Sequence, residues 1–367
     1  MTKPTLSCVL LVVLAALAVT ARAARPVGLK HVEASTLTLC GQLMPGNPNP
    51  YHRVDTVRFK GFTRAENLQV RESAGLAVAF KTDSRVINVR TVYGQYQSPV
   101  NTTGIAARGY DLYVRRDGTW RYAGSGCKSD QRLLLGEDLE LVANMDGSMH
   151  ECLLYLPLFA EVDSVQIAVE ASARIEPLPR PFRHRIGVWG SSFTHGTGVS
   201  RAGMTYVAQL SRLTGLEMLS LGCSGHSKLQ PYFARVLAAA QVDAFLFDCF
   251  SNPSPGEIRE RLLPFIETVR QALPGIPLVF QRTIRREGRN FNLKADSLEA
   301  AKIAVADSMM ALACRRYSDV YYITPSATPP DHLSSVDGVH PDDYGYTLWA
   351  RSLRGQLLPI LKKYGIE

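Results

Sequence analysis

A change of hydrophobic rhythm at a proline-rich stretch constrains the fold of this chain more than any other feature. Before residue 176, short β-branched and aromatic runs have a period of two and are separated by turns such as Arg116-Asp117-Gly118, which is typical of antiparallel strands. After residue 183, short apolar runs alternate with helical patterns. The stretch between them, Glu176-Pro-Leu-Pro-Arg-Pro-Phe182, cannot continue a helix. We therefore predict a β-sandwich domain at 24–176, a linker at 177–183 and an α/β domain at 184–367.

The two patterns also predict individual elements. In the first half the predicted strands are Leu76 to Lys81, Val86 to Val92, Tyr110 to Val114, Trp120 to Tyr122, Cys152 to Leu156 and Val165 to Val169. In the second half they are Arg185 to Trp189, Met218 to Leu221, Ala244 to Phe247, Leu278 to Gln281 and Val320 to Ile323. The predicted helices lie between Thr205 and Gly215, from the capping box Ser254-Pro255-Gly256-Glu257, from Asp296 to Arg315, and from Asp342 toward Lys362, with Pro341 at its start. This alternation predicts a parallel five-stranded sheet with helices on both faces and any site at the carboxyl ends of its strands.

The amino terminus has the pattern of a secretory signal. Lys3 precedes an apolar stretch from Leu10 to Val19, and Ala21-Arg22-Ala23 follows with the small residues that a signal peptidase accepts. The apolar stretch is shorter than the roughly 20 residues that a spanning helix needs. We expect a signal peptide over residues 1–23 and a secreted, periplasmic or extracellular product without a membrane span.

Charge and cysteine usage narrow the classes of partner. The formal net charge is +8, and the loss of Lys3 and Arg22 with the signal peptide lowers it to +6. The densest basic run is Arg282 to Arg289; such a modest, scattered surplus favours a solvated loop over a nucleic-acid groove.

Six cysteines follow residue 23 without a C-x-x-C pair, and Cys40 with Cys127 is the first disulfide to test. Asn101-Thr102-Thr103 matches a glycosylation sequon.

Two segments at predicted strand ends carry residues suited to nucleophilic catalysis. The first α/β strand runs into Gly190-Ser191-Ser192-Phe193-Thr194-His195-Gly196, where flanking glycines permit a tight turn. A serine hydroxyl needs a base from the same edge of the sheet. Asp337-Gly338-Val339-His340-Pro341 follows the last strand, and in so short a turn the carboxylate can orient the imidazole.

These two segments, G-x-S-F-T-x-G and D-G-V-H-P, resemble the SGNH (GDSL-type) hydrolases, and the resemblance extends from about His184 to Tyr364. It implies a flavodoxin-like hydrolase domain with Ser192, Asp337 and His340 as catalytic triad. The middle blocks of that family supply an oxyanion hole. Gly225, in Leu221-Gly-Cys-Ser-Gly-His226, and Asn252, in Asp248-Cys-Phe-Ser-Asn-Pro253, match those blocks, so the implied donors are Ser192 N–H, Gly225 N–H and the Asn252 amide.

A second resemblance lies in the first half. Gly109-Tyr110-Asp111-Leu112-Tyr113 is similar to the G-x-D-L-Y signature of the β-domain that precedes a group of SGNH esterases. We expect Tyr110, Asp111 and Tyr113 to be packing residues.

The second half departs from the SGNH pattern at two places. Ser191 occupies a position where many relatives have aspartate, which makes it a rival nucleophile. At Asn252, the segment Ser-Asn-Pro replaces the commoner G-x-N-D.

Alternatives remain for other residues. Asp331 and His332 form a rival acid and base, and His195 and His226 either line the pocket or make local hydrogen bonds. The sequence contains no H-E-x-x-H, G-x-G-x-x-G or G-K-[ST], so we expect neither a metal nor a cofactor.

The predicted function is removal of a small acyl group from carbohydrate by an exported serine esterase, and the resemblance favours acetyl as that group. The enzymatic alternative is a lipid or thioester acylhydrolase. The alternative of another class is a non-catalytic glycan-binding protein.

Overall fold

Two antiparallel sheets enclose one core in the first half of the chain. The computed structural model describes residues 28–129 and 136–367. The strands are β1 (Leu29–Glu33), β2 (Thr38–Cys40), β3 (Ala77–Thr82), β4 (Ile87–Tyr96), β5 (Tyr110–Arg116), β6 (Thr119–Gly126), β7 (Leu139–Val142), β8 (His150–Tyr155), β9 (Ala160–Glu170) and β10 (Ile175–Pro177). One sheet has the order β1-β9-β4-β7, and the other has the order β10-β3-β8-β5-β6 with β2 paired to β3. Val89 and Ile167 of one sheet share a buried cluster with Phe80 and Leu154 of the other.

Two short helices interrupt this otherwise β region, so the all-β pattern is incomplete. Helix α1 (Arg64–Gln69) begins at Thr63, whose side chain forms a capping box with Glu66. Helix α2 (Gly104–Arg108) begins at Thr103, whose hydroxyl accepts a hydrogen bond from Ala106 N. Short helices of this kind depend on a cap and on packing, and they lack a long periodic signal.

The second half contains the predicted parallel sheet. Its strands are β11 (Arg183–Gly190), β12 (Leu216–Gly222), β13 (Ala244–Asp248), β14 (Leu278–Gln281) and β15 (Val320–Ile323). Their spatial order is β12-β11-β13-β14-β15, the flavodoxin-like order, in which ligands bind beyond the carboxyl ends of the strands where the order reverses. The predicted fold class is therefore confirmed.

Helices cover both faces of this sheet. They are α3 (Ser192–His195), α4 (Tyr206–Thr214), α5 (Pro231–Ala238), α6 (Pro255–Ala272), α7 (Leu293–Arg316) and α8 (Asp343–Lys362). Local chemistry sets their ends. Helix α4 is capped by Thr205 and ends at Gly215 with φ +75°, and α6 begins at the predicted capping box of Ser254 and Glu257. Asp342 caps α8, so this helix begins two residues after Pro341 and not at it.

Alternate residues of β11 point to opposite faces of the sheet, as the pleat requires. Val188 belongs to a buried cluster with Leu210 of α4 and Trp349 of α8. Its neighbour Trp189 belongs to a second cluster and stacks on Phe265 of α6 at 4.9 Å. Strand β11 is thus buried on both sides, which fixes the position of the turn that follows it.

The G-x-D-L-Y segment joins the two halves. Asp111 is fully buried, and its carboxylate accepts hydrogen bonds from Gly203 N at 2.8 Å and Arg201 Nε at 3.2 Å. The Arg212 guanidinium lies 4.2 Å from the centre of the Tyr113 ring, and Tyr155 of β8 shares the cluster that contains α4 and α8. Burial raises the pKa of Asp111 to about 6.

Two further expectations can be compared with the structure. Cys40 is a buried free thiol whose pKa is raised by burial to about 12, so it does not form a disulfide with Cys127, the pairing that the sequence offers as the first to test. The predicted signal peptide, residues 1–23, lies outside the described residues. Within 28–129 and 136–367, no helix is long and apolar enough to cross a membrane.

We expect Asp111→Ala to lower the free energy of unfolding by about 3 kcal/mol, because it leaves a buried amide and a guanidinium without their carboxylate. Denaturant unfolding measures this loss. Glu151→Ala, which removes an exposed partner of Arg115 at 3.3 Å, should cost less than about 1 kcal/mol. Equal losses in the two variants would contradict the docking role of Asp111.

Candidate active site

Ser192 lies at the first position of α3, immediately after strand β11. Gly190 makes this turn possible, since a Cβ there would lie 2.1 Å from Thr194 Oγ1 and 2.8 Å from Asp248 Cβ. Ser191 caps α3 by accepting a hydrogen bond from Phe193 N at 3.2 Å. The turn therefore presents the Ser192 side chain at the carboxyl edge of the sheet.

A chain of hydrogen bonds joins Ser192 to the loop before α8. His340 Nε2 lies 2.8 Å from Ser192 Oγ, and His340 Nδ1 lies 2.8 Å from Asp337 Oδ2. Asp337 Oδ1 accepts the backbone N–H groups of Val339 and His340 at 2.9 and 2.8 Å. This arrangement of hydroxyl, imidazole and carboxylate is the one that activates a serine for acyl transfer.

Asp337 is held in its charged form. Partial burial alone would raise the pKa of Asp337, but hydrogen bonds from the His340 backbone, the His340 ring and the Asn101 amide outweigh it. They keep the pKa of this carboxyl well below its ordinary value. The carboxylate can therefore orient the imidazole and stabilise its protonated form.

The rival residues face elsewhere. The Ser191 hydroxyl is fully buried and donates to Asp248 Oδ2 at 2.8 Å. His332 Nδ1 lies 2.7 Å from Glu287 Oε2. The structure thus brings Ser192, His340 and Asp337 together and directs Ser191 and His332 to other partners.

The three predicted oxyanion donors follow adjacent strands. Ser192 follows β11, Gly225 follows β12 and Asn252 follows β13, and β11 lies between the other two. Gly225 has φ +76° and is exposed. Asn252 Oδ1 accepts a hydrogen bond from Ser227 N at 3.1 Å, which orients its amide and leaves the NH2 group available. The strand order therefore brings the loops of these three residues to the same edge of the sheet.

Sequence reasoning missed Asn101, which reaches this site from the β-sandwich. It lies between β4 and α2, and its Nδ2 donates to Asp337 Oδ2 at 2.8 Å and lies 3.4 Å from His340 Nδ1. A cavity of about 560 Å³ lies beside it, lined in part by Val100, Gly198 and Val336. The sole sequence signal at this position was the sequon, which says nothing about catalysis.

Asp248 supports the turn from the neighbouring strand. Its Oδ2 accepts hydrogen bonds from Ser191 Oγ, from Ser191 N at 3.2 Å and from Thr194 Oγ1 at 3.0 Å. This carboxylate supplies beside Ser191 the acidic group that many relatives carry at that position. Complete burial raises the pKa of Asp248 to about 6.

The two other histidines near these segments contact residues of the first half of the chain. His195 is fully buried, stacks on Phe159 at 4.2 Å, and its Nε2 lies 2.7 Å from Leu158 O and 3.1 Å from a Glu72 oxygen. Burial lowers the pKa of His195. His226 Nδ1 lies 3.7 Å from Glu66. His195 therefore belongs to the packing between the two halves.

One group with the spacing of metal ligands occurs among the described residues. It consists of His52, Glu161 and Asp163 in the β-sandwich region. The Arg71 guanidinium lies 3.0 Å from Glu161 and already neutralises that carboxylate. The group contains none of the residues around Ser192.

Comparisons with known families agree with this geometry. Residues 183–357 match the GDSL-like lipase/acylhydrolase family, and residues 29–175 match the N-terminal domain of SGNH-hydrolase-type esterases. A protein from Bacteroides ovatus ATCC 8483, described as a GDSL-like lipase, is 36% identical, with a TM-score of 0.86 over 91% of this chain and 98% of its own. The chain belongs to the SGNH (GDSL-type) hydrolases. It is thus a carboxylic ester hydrolase, which sets aside the alternative of a non-catalytic glycan-binding protein.

More distant structures share the fold of this SGNH hydrolase. A salicylyl acyltransferase from a tetracycline biosynthetic pathway is 20% identical, with a TM-score of 0.69 over 92% of this chain and 99% of its own. A family two carbohydrate esterase from Cellvibrio japonicus is 13% identical, with a TM-score of 0.60 over 91% and 98%. No curated protein sequence matches the chain.

We expect Asn101→Ala to lower kcat for ester hydrolysis about tenfold with little change in KM, because a hydrogen bond to a charged carboxylate is worth about 1.5–3 kcal/mol. Asn101→Asp should lower kcat further, since a second carboxylate beside Asp337 opposes its ionisation. Steady-state kinetics measure both effects. Val92→Ala, at an exposed residue of β4 that does not line this cavity, is the control; a loss equal to that of Asn101→Ala would assign the effect to a general disturbance of the β-sandwich.

Asp248 makes stability depend on pH. Its pKa is raised by burial to about 6 in the folded protein and is about 3.9 in an unfolded chain, so the folded state retains the proton longer. Stability from this group is therefore lost as pH rises from about 4 to about 6. The difference in unfolding free energy between wild type and Asp248→Asn should fall by about 3 kcal/mol over that range. Parallel pH profiles in urea unfolding would contradict this assignment.

Proposed function

We propose that this SGNH hydrolase is an exported esterase that removes short acyl groups, acetyl above all, from carbohydrate, with Ser192 as nucleophile. The observation that carries the proposal is the hydrogen-bond chain from Ser192 through His340 to Asp337, with distances of 2.8 Å at both steps. Export rests on the signal pattern of residues 1–23.

The proposed reaction follows the serine esterase scheme. His340 Nε2 takes the proton of Ser192 Oγ as the oxygen attacks the ester carbonyl carbon. The tetrahedral oxyanion accepts hydrogen bonds from Ser192 N, Gly225 N and the Asn252 amide, each worth about 3 kcal/mol in the transition state. The alcohol leaves with the proton from His340, and the acyl group remains on Ser192. Water then loses a proton to His340 and attacks the acyl-enzyme. The bond from the acyl carbon to Ser192 Oγ breaks, His340 returns the proton to Ser192 Oγ, and the acid is released.

The carbohydrate part of the proposal has separate support. The chain shares its two-part fold with the carbohydrate esterase from Cellvibrio japonicus along nearly the whole of both chains. In this protein the β-sandwich also contributes directly to the site through Asn101. A polymer bound near Ser192 would therefore meet surfaces from both halves.

One observation favours a second candidate, hydrolysis of esters with a longer acyl chain. Val100 is fully exposed and Val336 is about half exposed, and both line the cavity beside Asn101. Apolar side chains at the rim of a site suit an alkyl chain better than a hydroxyl-rich sugar. The lipid acylhydrolase alternative therefore remains a second proposal, and acyl-chain length separates the two.

The first experiment is hydrolysis of p-nitrophenyl acetate, butyrate and octanoate by the mature protein. We expect the highest kcat/KM for acetate, and a loss of about 10⁶-fold in kcat in Ser192→Ala because the nucleophile is removed. Ser191→Ala is the matched control: it should retain most turnover while weakening the contact with Asp248. A preference for octanoate would replace the proposal by the second candidate.

Two further outcomes bear on the same proposal. Acetate release from acetylated xylan, abolished by Ser192→Ala, would support the carbohydrate substrate. A folded wild-type protein that hydrolyses none of these esters, or a Ser192→Ala variant with full activity, would refute the mechanism.

A further inference from the structure

A basic cavity lies at the carboxyl end of β14, in the loop that follows this strand and against α7. Its volume is about 370 Å³, and the residues that determine its charge are Arg282, Arg285, Arg289 and Asp307. Three guanidinium groups thus face a space with one carboxylate in its lining. Arg289 is also paired with Asp296, which lies outside the lining, at 2.7 Å. The uncompensated charge at the cavity is therefore +1, which favours an anionic occupant.

Hydrogen bonds within the cavity lining leave some of its N–H and O–H donors without an acceptor. Asp307 is engaged on both oxygens, by Arg282 Nη2 at 2.9 Å and by Tyr322 Oη at 2.8 Å. Arg285 donates to the neutral amide oxygen of Asn290 at 2.8 Å. Arg282 Nε and Thr283 Oγ1 are buried and have no hydrogen-bond partner within the described part of the chain. Buried donors without acceptors are uncommon in folded proteins and call for a ligand or water.

Thr283 provides an observation independent of charge. Its side chain lines the same cavity and is 7% exposed. A buried hydroxyl beside guanidinium groups is a common element of carboxylate and sulfate sites, since each group donates a hydrogen bond to an oxygen. The cavity lining therefore combines charge with a buried hydroxyl that has no partner within the described residues.

The loop that carries these residues is tied to the active site. Gly288 N donates to Gly338 O, in the loop of Asp337 and His340, at 2.6 Å. Arg286 Nη2 donates at 3.1 Å to Ser251 O, one residue before Asn252. Since β14 lies two strands from β11, the strand spacing puts the end of β14 about 10 Å from the end of the strand that carries Ser192. An extended polymer can reach both places.

We infer that this cavity is a subsite for an anionic group on the substrate, so that the enzyme acts on an acylated acidic polysaccharide. The inference rests on the proposed function and specifies its substrate class. Arginine forks bind carboxylates and sulfates in the same planar, two-point manner, so the occupant is a uronic acid carboxylate or a sugar sulfate. The ester reacts at Ser192 while the anionic group of a sugar further along the chain occupies the cavity.

The kinetic test compares acetylated polygalacturonate with its carboxyl-reduced derivative, which keeps the acetyl esters and loses the charge. Wild type should have a lower KM for the charged polymer, and this preference should weaken as ionic strength rises. Arg285→Gln should raise the ratio of KM for the charged polymer to KM for the reduced polymer about tenfold. Arg315→Gln, which removes the same charge from the exposed far end of α7, should leave both KM values unchanged. Equal effects of Arg285→Gln on both polymers would overturn the inference.

A binding measurement separates this inference from the proposed function. Calorimetry with Ser192→Ala uses unacetylated oligogalacturonate and a sulfated oligosaccharide as probes. Binding of either probe, weakened in the Ser192→Ala and Arg285→Gln double variant, supports the subsite and identifies the anion. Absence of binding by both probes in a folded protein overturns it. Failure of the wild type to hydrolyse acetate esters would refute the esterase proposal. The calorimetry would then still decide whether the cavity binds an anionic sugar.

Discussion

The turn after strand β11 is the constraint on which the rest of this structure depends. Gly190 allows the chain to pass within contact distance of Asp248, and the Asp248 carboxylate holds Ser191 and Thr194 on either side of Ser192. Because β11 lies between β12 and β13, the turn stands between the loops that carry Gly225 and Asn252. Helix α8 begins just after His340 and packs against β11 through Trp349. This packing brings His340 within hydrogen-bond distance of Ser192.

The β-sandwich is part of the enzyme and not an appendage. Asp111 and Tyr113 hold it against Arg201 and Arg212, which gives the G-x-D-L-Y segment a physical role in docking. The fully buried Arg53 donates to Gly222 O at the end of β12 at 2.9 Å. Asn101 also donates a hydrogen bond to Asp337. The first half of the chain therefore contacts the hydrolase half both at the end of β12 and at the catalytic residues. Motion between the halves would therefore disturb the hydrogen bonds around His340.

Elements with strong local signals could be predicted from the sequence. The capping box at Ser254 and the pair of Thr205 and Gly215 gave helix ends that agree with the structure, and the apolar runs at Leu278 and Val320 gave complete strands. Strands β1, β2, β7 and β10 went unpredicted, because three to five residues are too few for a clear alternation.

Long-range chemistry was harder to predict. The resemblance to SGNH hydrolases pointed to Ser192, His340 and Asp337, which the structure brings within hydrogen-bond distance; their catalytic role stays a prediction. Asn101 could not be foreseen, because its contact with Asp337 spans 236 residues of sequence and has no local pattern. The same applies to Asp248, whose carboxylate faces a serine where the family commonly has its acid.

The contact of Asn101 with Asp337 also bears on where this enzyme can be made. Asn101 begins the sequon Asn101-Thr102-Thr103, and the atom that an oligosaccharyltransferase would modify, Nδ2, is the one that donates to Asp337. A glycan on that nitrogen would stand against His340 and remove one of the two N–H bonds. Production in a eukaryotic secretory host would thus yield a mixture in which each attached glycan marks an impaired molecule, whereas a bacterial host would yield uniform enzyme.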